Sequence, residues 1–138
     1  MSSLNKLNQN VIEFYEKLSS WENDIVRGKG ITLPQMHTLE VLGNQQPMRM
    51  KELAQGMGIT TGTLTVLVDR LESKGFVCRK PHDSDRRSIL VELTESGEAM
   101  FAEHDRLHLR LIEELTSEIS DSEREVFLSC LEKMNKAF

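Results

Sequence analysis

Four threonines and a glycine crowd one short stretch of the chain: Thr60, Thr61, Gly62, Thr63 and Thr65. Thr60 follows Gly58 and Ile59 and is a natural N-cap, so the spacing predicts that these residues form the first turn of a helix. Such a turn carries unpaired backbone N–H groups and a partial positive charge, which suit an anion. A threonine hydroxyl can hydrogen-bond a base edge or a phosphate, and its methyl can touch the thymine methyl. Gly62 inside a helix costs about 1 kcal/mol against alanine, which points to close approach by something outside the chain. Arg70, near the far end of the same helix, can reach a phosphate or pair with Asp69 or Glu72. The bland alternative is a capped helix with an ordinary solvated surface.

A second constellation lies at Asp83, Asp85, Arg86 and Arg87, in the polar run PHDSDRR. An arginine at a narrow hairpin tip suits the minor groove of duplex DNA, where the potential is most negative. An aspartate two residues earlier can fix the guanidinium through a paired hydrogen bond. Otherwise the run is a solvated turn with weak local ion pairs. A third feature is the pair His104 and His108, four apart and therefore on one helix face, a spacing that can give two imidazoles to one metal. Histidines packed among apolar neighbours or left on the surface would look the same. Cys78 and Cys130 form no CxxC and no ligand spacing, and read as small hydrophobes in a reducing compartment.

The 138 residues fit one domain, expected to fold as residues 1–138 together. Few aromatics and seven methionines suggest a Leu/Met-packed helical core. Net charge is −5, but it is unevenly spread. Between Arg49 and Leu90 eight basic residues meet five acidic ones, so a mildly basic centre sits between acidic arms. One face can approach phosphate while the others repel it. The start, MSSLNKLNQN, lacks the basic and apolar pattern of a signal peptide, and no run reaches the ~18 apolar residues of a membrane span. A cytoplasmic protein with no membrane association is expected.

The elements that must position these residues follow from periodicity. Leu4, Leu7, Val11, Phe14, Leu18, Trp21 and Ile25 form an apolar seam on one long helix ending near Gly28 and Gly30, suited to a core or to a second subunit. A second helix starts at the capping box of Thr32 and Gln35 and is expected to end at Gly43 and Asn44, with Pro47 beyond. A third spans about 50–57, turns at Gly58, and gives way to the Thr60 helix, which closes at Gly75. Two short helices about a tight glycine turn make a helix-turn-helix. Extended pieces at 76–80 and 88–93 flank PHDSDRR and read as a hairpin, the wing. Thr94 caps a long helix to about Ile119. Ser120 and Glu123 box a last helix carrying Val126, Phe127, Cys130, Leu131, Met134 and Phe138. The expected fold is mainly α with a small β-hairpin wing, without repeats, low complexity or linkers.

The segments ELAQGMGITTGTLTVLVDRLESKGFVCRK (52–80) and DSDRRSILVELTESG (83–97), in this order, resemble the MarR family of winged helix-turn-helix transcriptional regulators. The order of elements fits that family over nearly the whole chain. The resemblance implies a homodimer joined through its first and last helices (1–30 and 94–138), with 32–93 as the DNA-binding lobe. It implies that Thr60, Thr61, Thr63, Thr65 and Arg70 meet the major groove. The minor-groove arginine falls on Arg87, oriented by Asp85 and flanked by Arg86. Two such lobes would address half-sites of a palindromic operator about one helical turn, ~34 Å, apart. The function implied is that of a ligand-responsive repressor.

No cofactor is required by this reading. In the zinc-sensing branch of the family the metal is held from places that fall here on His37, His104 and His108, with a first-helix carboxylate that Asp24 or Glu22 could supply, so zinc is a candidate effector. The competing effector is an amphipathic organic molecule, such as a phenolic compound, in an apolar pocket near Trp21, Met36 and Leu111. The family's peroxide sensors need a reactive cysteine on the first helix, and there is none there. A P-loop, G-x-G-x-x-G, nucleophile elbow and H-E-x-x-H are all missing, so an enzyme is not expected. The alternative from another class is a winged-helix module that binds protein instead of DNA.

Overall fold

The computed structural model describes residues 2–82 and 85–138, without the side chains of residues 82 and 85–87. Nine elements follow in order: α1 (Ser3–Val26), α2 (Leu33–Gln45), β1 (Met48–Arg49), α3 (Met50–Met57), α4 (Thr61–Ser73), β2 (Val77–His82), β3 (Asp85–Leu93), α5 (Glu95–Leu115) and α6 (Asp121–Ala137). Contacts divide the chain into two compact units, Met1–Phe101 and Ala102–Phe138.

The first unit holds the core. Leu64, Val68 and Leu71 of α4, spaced at helical intervals, are buried with Met36, Leu39 and Leu42 of α2 and Leu53 of α3. The predicted caps form. Thr32 accepts from Gln35 N–H while the Gln35 side chain accepts from Thr32 N–H. Gly58, between α3 and α4, and Gly75, after α4, adopt the left-handed conformation, with φ of 67° and 82°.

Three expectations are corrected. The helix α2 does not stop at Gly43 and Asn44 but runs to Gln45. A Cβ on Gly43 would lie 2.5 Å from the Phe101 ring, so this glycine makes room for an aromatic side chain instead of ending a helix. The wing is not a bare hairpin: the sheet has three strands in the order β1-β3-β2, and Met48 and Arg49 pair antiparallel with Val91 and Leu90. Two residues are too short for strand periodicity to show. Finally, α5 ends at Leu115. Residues 116–119 make a turn in which Ile119 N–H donates to the Thr116 carbonyl, before Ser120 caps α6.

In the first half of α1 the apolar seam is uncovered: Leu4 is 73% exposed and Leu7, Val11 and Phe14 are also exposed. Farther along, Leu18, Trp21 and Ile25 are half-buried. In the second unit Val126, Phe127, Leu131 and Met134 of α6 are likewise exposed.

Candidate nucleic-acid interface

The helix-turn-helix places α4 with three inward residues and a solvent-facing remainder. Thr60, Thr61, Gly62, Thr63, Thr65 and Arg70 are all exposed. The first turn is ordered from within. Thr60 Oγ1 accepts from Thr63 N–H at 3.1 Å and donates to Thr63 Oγ1 at 3.0 Å. Thr65 Oγ1 donates to the Thr61 carbonyl at 2.8 Å. These bonds fix the hydroxyls in place and leave the Thr60–Thr63 pair at the N-terminal rim, where unpaired N–H groups gather. Gly62 has an ordinary helical φ, and a Cβ there would meet only Thr60 Oγ1, at 3.9 Å. Among the described residues, nothing requires glycine at this position.

The other end of α4 is held tightly. Arg79 of β2 donates from its two terminal nitrogens to Asp69 (2.7 Å) and Glu72 (2.9 Å), and its own backbone N–H donates to Glu72 at 3.2 Å. Its side chain is only 23% exposed, so the two ion pairs are partly shielded from water. The root of the wing is therefore fastened to α4. This replaces the expectation that Asp69 or Glu72 pairs with Arg70, for which the described residues show no ion pair. Lys74 is equally engaged: its ammonium donates to the Gly30 carbonyl (2.8 Å) and to Gln35 Oε1 (2.7 Å). Lys80 pairs with Glu92 on the neighbouring strand, and that partner raises the Lys80 pKa above its ordinary value.

The basic centre counted from sequence thus thins out in three dimensions. Of its eight cations, Arg49, Lys74, Arg79 and Lys80 are already committed to internal partners. Arg70 and Lys51 remain on the exposed surface. The tip expected from Asp85, Arg86 and Arg87 lies outside the described side chains.

A further close approach explains the end of the 83–97 segment. A Cβ on Gly97 would sit 2.0 Å from the Phe76 carbonyl oxygen, which accepts from Thr94 N–H. Thr94 Oγ1 donates to the Gly75 carbonyl at 2.6 Å and accepts from Gly97 N–H at 3.1 Å. The first turn of α5 is thereby sealed onto the joint between α4 and β2. Sequence alone signalled the Thr94 cap but not the Arg79 clamp, since its partners lie ten and seven residues away on another element.

Comparison with known proteins turns on this same lobe. The sequence model of the MarR family matches residues 31–89, from just before α2 to the middle of β3. The chain carries a MarR-family domain. It is 38% identical over 82 residues to the uncharacterized HTH-type transcriptional regulator YfiV of Bacillus subtilis (strain 168), covering 59% of this chain and 51% of that one. It is 32% identical over 106 residues to the HTH-type transcriptional repressor YetL of the same organism, covering 75% and 64%. The chain therefore matches about half to two thirds of these relatives' length. A crystal structure of Streptococcus pneumoniae FabT in complex with DNA superimposes with a TM-score of 0.88 at 25% identity, covering 97% of this chain and 96% of that one. The mainly helical winged-helix fold expected from sequence is the fold observed.

Met36 is fully buried in the core, so it cannot line an open pocket as expected. Trp21 is half-buried on α1, and Leu111 belongs to the second unit. An open cleft of about 730 Å³ lies elsewhere in the first unit, walled by Leu33, Met57, Ile59, Val66 and Leu67, with Glu22, His37, Glu40 and Thr63 as its polar members. Of the expected metal ligands, Asp24 is exposed and paired with Arg27 at 3.3 Å, and His37 faces the cleft. In the second unit His104 and His108 do meet, with their Nε2 atoms 3.1 Å apart.

Proposed function

We propose that this chain is a sequence-specific transcriptional regulator that binds double-stranded DNA as a homodimer and responds to an effector. The observation that carries the reading is Gly62, a helix-interior glycine with open space before it, in the middle of an exposed, hydroxyl-rich first turn. Such a turn lets a helix backbone approach a groove floor or a phosphate closely. The similarity to the repressor YetL and to DNA-bound FabT supports the same reading. The uncovered apolar residues of α1 and α6 support a twofold dimer, because surfaces of that kind are costly to leave in water. By the family resemblance Arg87 enters the minor groove, Asp85 orients it and Arg86 flanks it.

The test is binding to random and operator duplex across a salt series. Phosphate neutralisation predicts that log K falls with log salt at a slope of about −0.9 per contacted phosphate. Binding that is absent or flat with salt would favour a module that binds protein. Arg87→Ala should weaken gel-shift affinity and leave the dimer intact.

For the effector, the His104–His108 pair favours zinc. Two imidazoles on one tetrahedral ion, with Zn–N near 2.0–2.1 Å, stand roughly 3.3 Å apart, close to the observed separation. These two residues would hold the ion, and zinc would supply a fixed crosslink between successive turns of α5. Zinc at micromolar levels should change DNA affinity, and His104→Ala with His108→Ala should abolish that response.

A further inference from the structure

Large apolar residues are exposed in two kinds of place. Most lie on α1, α5 and α6, the helices that the dimer reading puts at the subunit interface. Among the described residues of α2, α3 and α4 there is a single case, Val66, which is 51% exposed. A lone exposed valine is ordinary, so what counts is its position. With ~3.6 residues per turn, Gly62 and Val66 share the line of α4 that faces away from the buried Leu64, Val68 and Leu71. Both are poor choices for an exposed helix surface, where alanine or a straight-chain residue would stabilise it. Gly62 lets the backbone approach a surface, and Val66 stands one turn, about 6 Å, farther along.

The surroundings of Val66 suit a DNA groove. Both carboxylates of α4, Asp69 and Glu72, are paired with Arg79 at 2.7 and 2.9 Å, which offsets their repulsion of phosphate. Arg70 of the same helix is exposed and basic. The hydroxyls of Thr60 and Thr65 donate within their own turn. Valine itself neither donates nor accepts a hydrogen bond, so it is blind to the polar pattern of base edges. The major groove offers one apolar group on those edges, the C5-methyl of thymine. A β-branched side chain on a helix keeps one strongly preferred rotamer, so the Val66 methyls are placed before contact and little entropy is lost on binding.

We propose that Val66 is a specificity-determining residue that reads the C5-methyl group of one thymine in each half-site. The proposal rests on the DNA-binding reading above and assigns its sequence preference to a side chain without hydrogen-bonding groups.

The experiment starts with the full chain selecting a duplex from a random library. Each thymine of that duplex is then replaced in turn by deoxyuracil, which lacks only the C5-methyl, and affinity is read by gel shift. At one thymine per half-site the replacement should weaken binding about fourfold, the scale of one buried methyl group. Replacement in both half-sites should weaken it about fifteenfold, since distant contacts add. Val66→Ala should bind the thymine duplex more weakly and no longer distinguish it from the uracil duplex. Alanine is the best helix former, so circular dichroism of this variant should stay native. A thymine-to-uracil ratio that survives Val66→Ala overturns the proposal. So does a ratio that disappears in Thr65→Ala instead, which would make the threonine methyl the reader. A selected duplex with no methyl-sensitive thymine removes this inference and leaves DNA binding standing. If no duplex is selected, the DNA-binding reading falls and takes the inference with it.

Discussion

The two ends of α4 obey opposite rules. At its start, Thr60, Thr61, Gly62 and Thr63 are exposed, and the Gly62 site faces open space. At its end, Arg79 spans Asp69 and Glu72, Lys74 is anchored to Gly30 and Gln35, and Gly97 presses against Phe76 just beyond. At the far end Asp69, Glu72 and Lys74 bind residues of other segments, whereas the near-end threonines bond within their own turn. Residues that the fold does not need, in a segment the fold holds rigid, are where an outside partner is to be sought.

The two glycines put that contrast in its sharpest form. Gly97→Ala should be the most damaging change. The added methyl would lie 2.0 Å from a backbone oxygen that is itself hydrogen-bonded, so helix and strand must part. Overpacking of this kind costs about 3 kcal/mol, which urea denaturation would register as a lower midpoint with an unchanged slope. DNA affinity per folded molecule should be unaffected. A variant as stable as wild type would mean that the joint is loose, and that the two ends of α4 are less different than they look.

Arg79→Ala comes next. It removes two partly shielded ion pairs and leaves two carboxylates adjacent on α4 without their cation. The stability loss should be about 1 kcal/mol, near the upper end for pairs that retain some water. The more telling readout is the wing: its minor-groove protection in a footprint should fade before that of the major groove. The double change Asp69→Ala with Arg79→Ala measures the coupling, and strict additivity would show that the clamp is only an apparent one.

Gly62→Ala should do the reverse of Gly97→Ala. Alanine fits the space and the φ, so the protein should gain up to about 1 kcal/mol of stability from helix propensity. DNA affinity should nevertheless fall. Stability and function would then move in opposite directions at one residue, the signature of a position kept for a partner. A stabilised variant with full affinity would leave Gly62 without an account.

Much of this was readable in the chain. The caps at Thr32, Thr60 and Ser120 and the left-handed turns at Gly58 and Gly75 depend on residues within a few positions of one another, and they formed as expected. What was not legible depends on residues brought together from afar. Met36 looked like a pocket residue because helical periodicity gives its side but not its depth. Gly43 looked like a stop signal because Phe101, which fills its place, lies in another helix. Charge counting overstated the cations available to DNA, because a sequence does not reveal that Arg79, Lys74 and Lys80 have found partners. In the cleft, Glu22 and Glu40 are separated by a loop and half a helix, and no spacing rule joins them.

The smallest effect is expected at Glu92, and it tests the same contrast from the other side. Its partner Lys80 sits on β2, opposite β3, and the two strands are already joined by a ladder from Val77–Leu93 to Pro81–Ile89. The ion pair adds nothing to positioning that the ladder does not supply, unlike Arg79, which joins a strand to a helix. Lys80 is well exposed, so the pair is weakened by water. Glu92→Gln should therefore leave the denaturation midpoint where it was. It should, however, return Lys80 to its ordinary pKa and release its ammonium, which stays charged at neutral pH. If Lys80 then reaches a phosphate, the salt slope of DNA binding should steepen by about 0.9, one counterion's worth. An unchanged slope would place Lys80 away from the duplex, and the nucleic-acid surface would end at α4 and the wing tip.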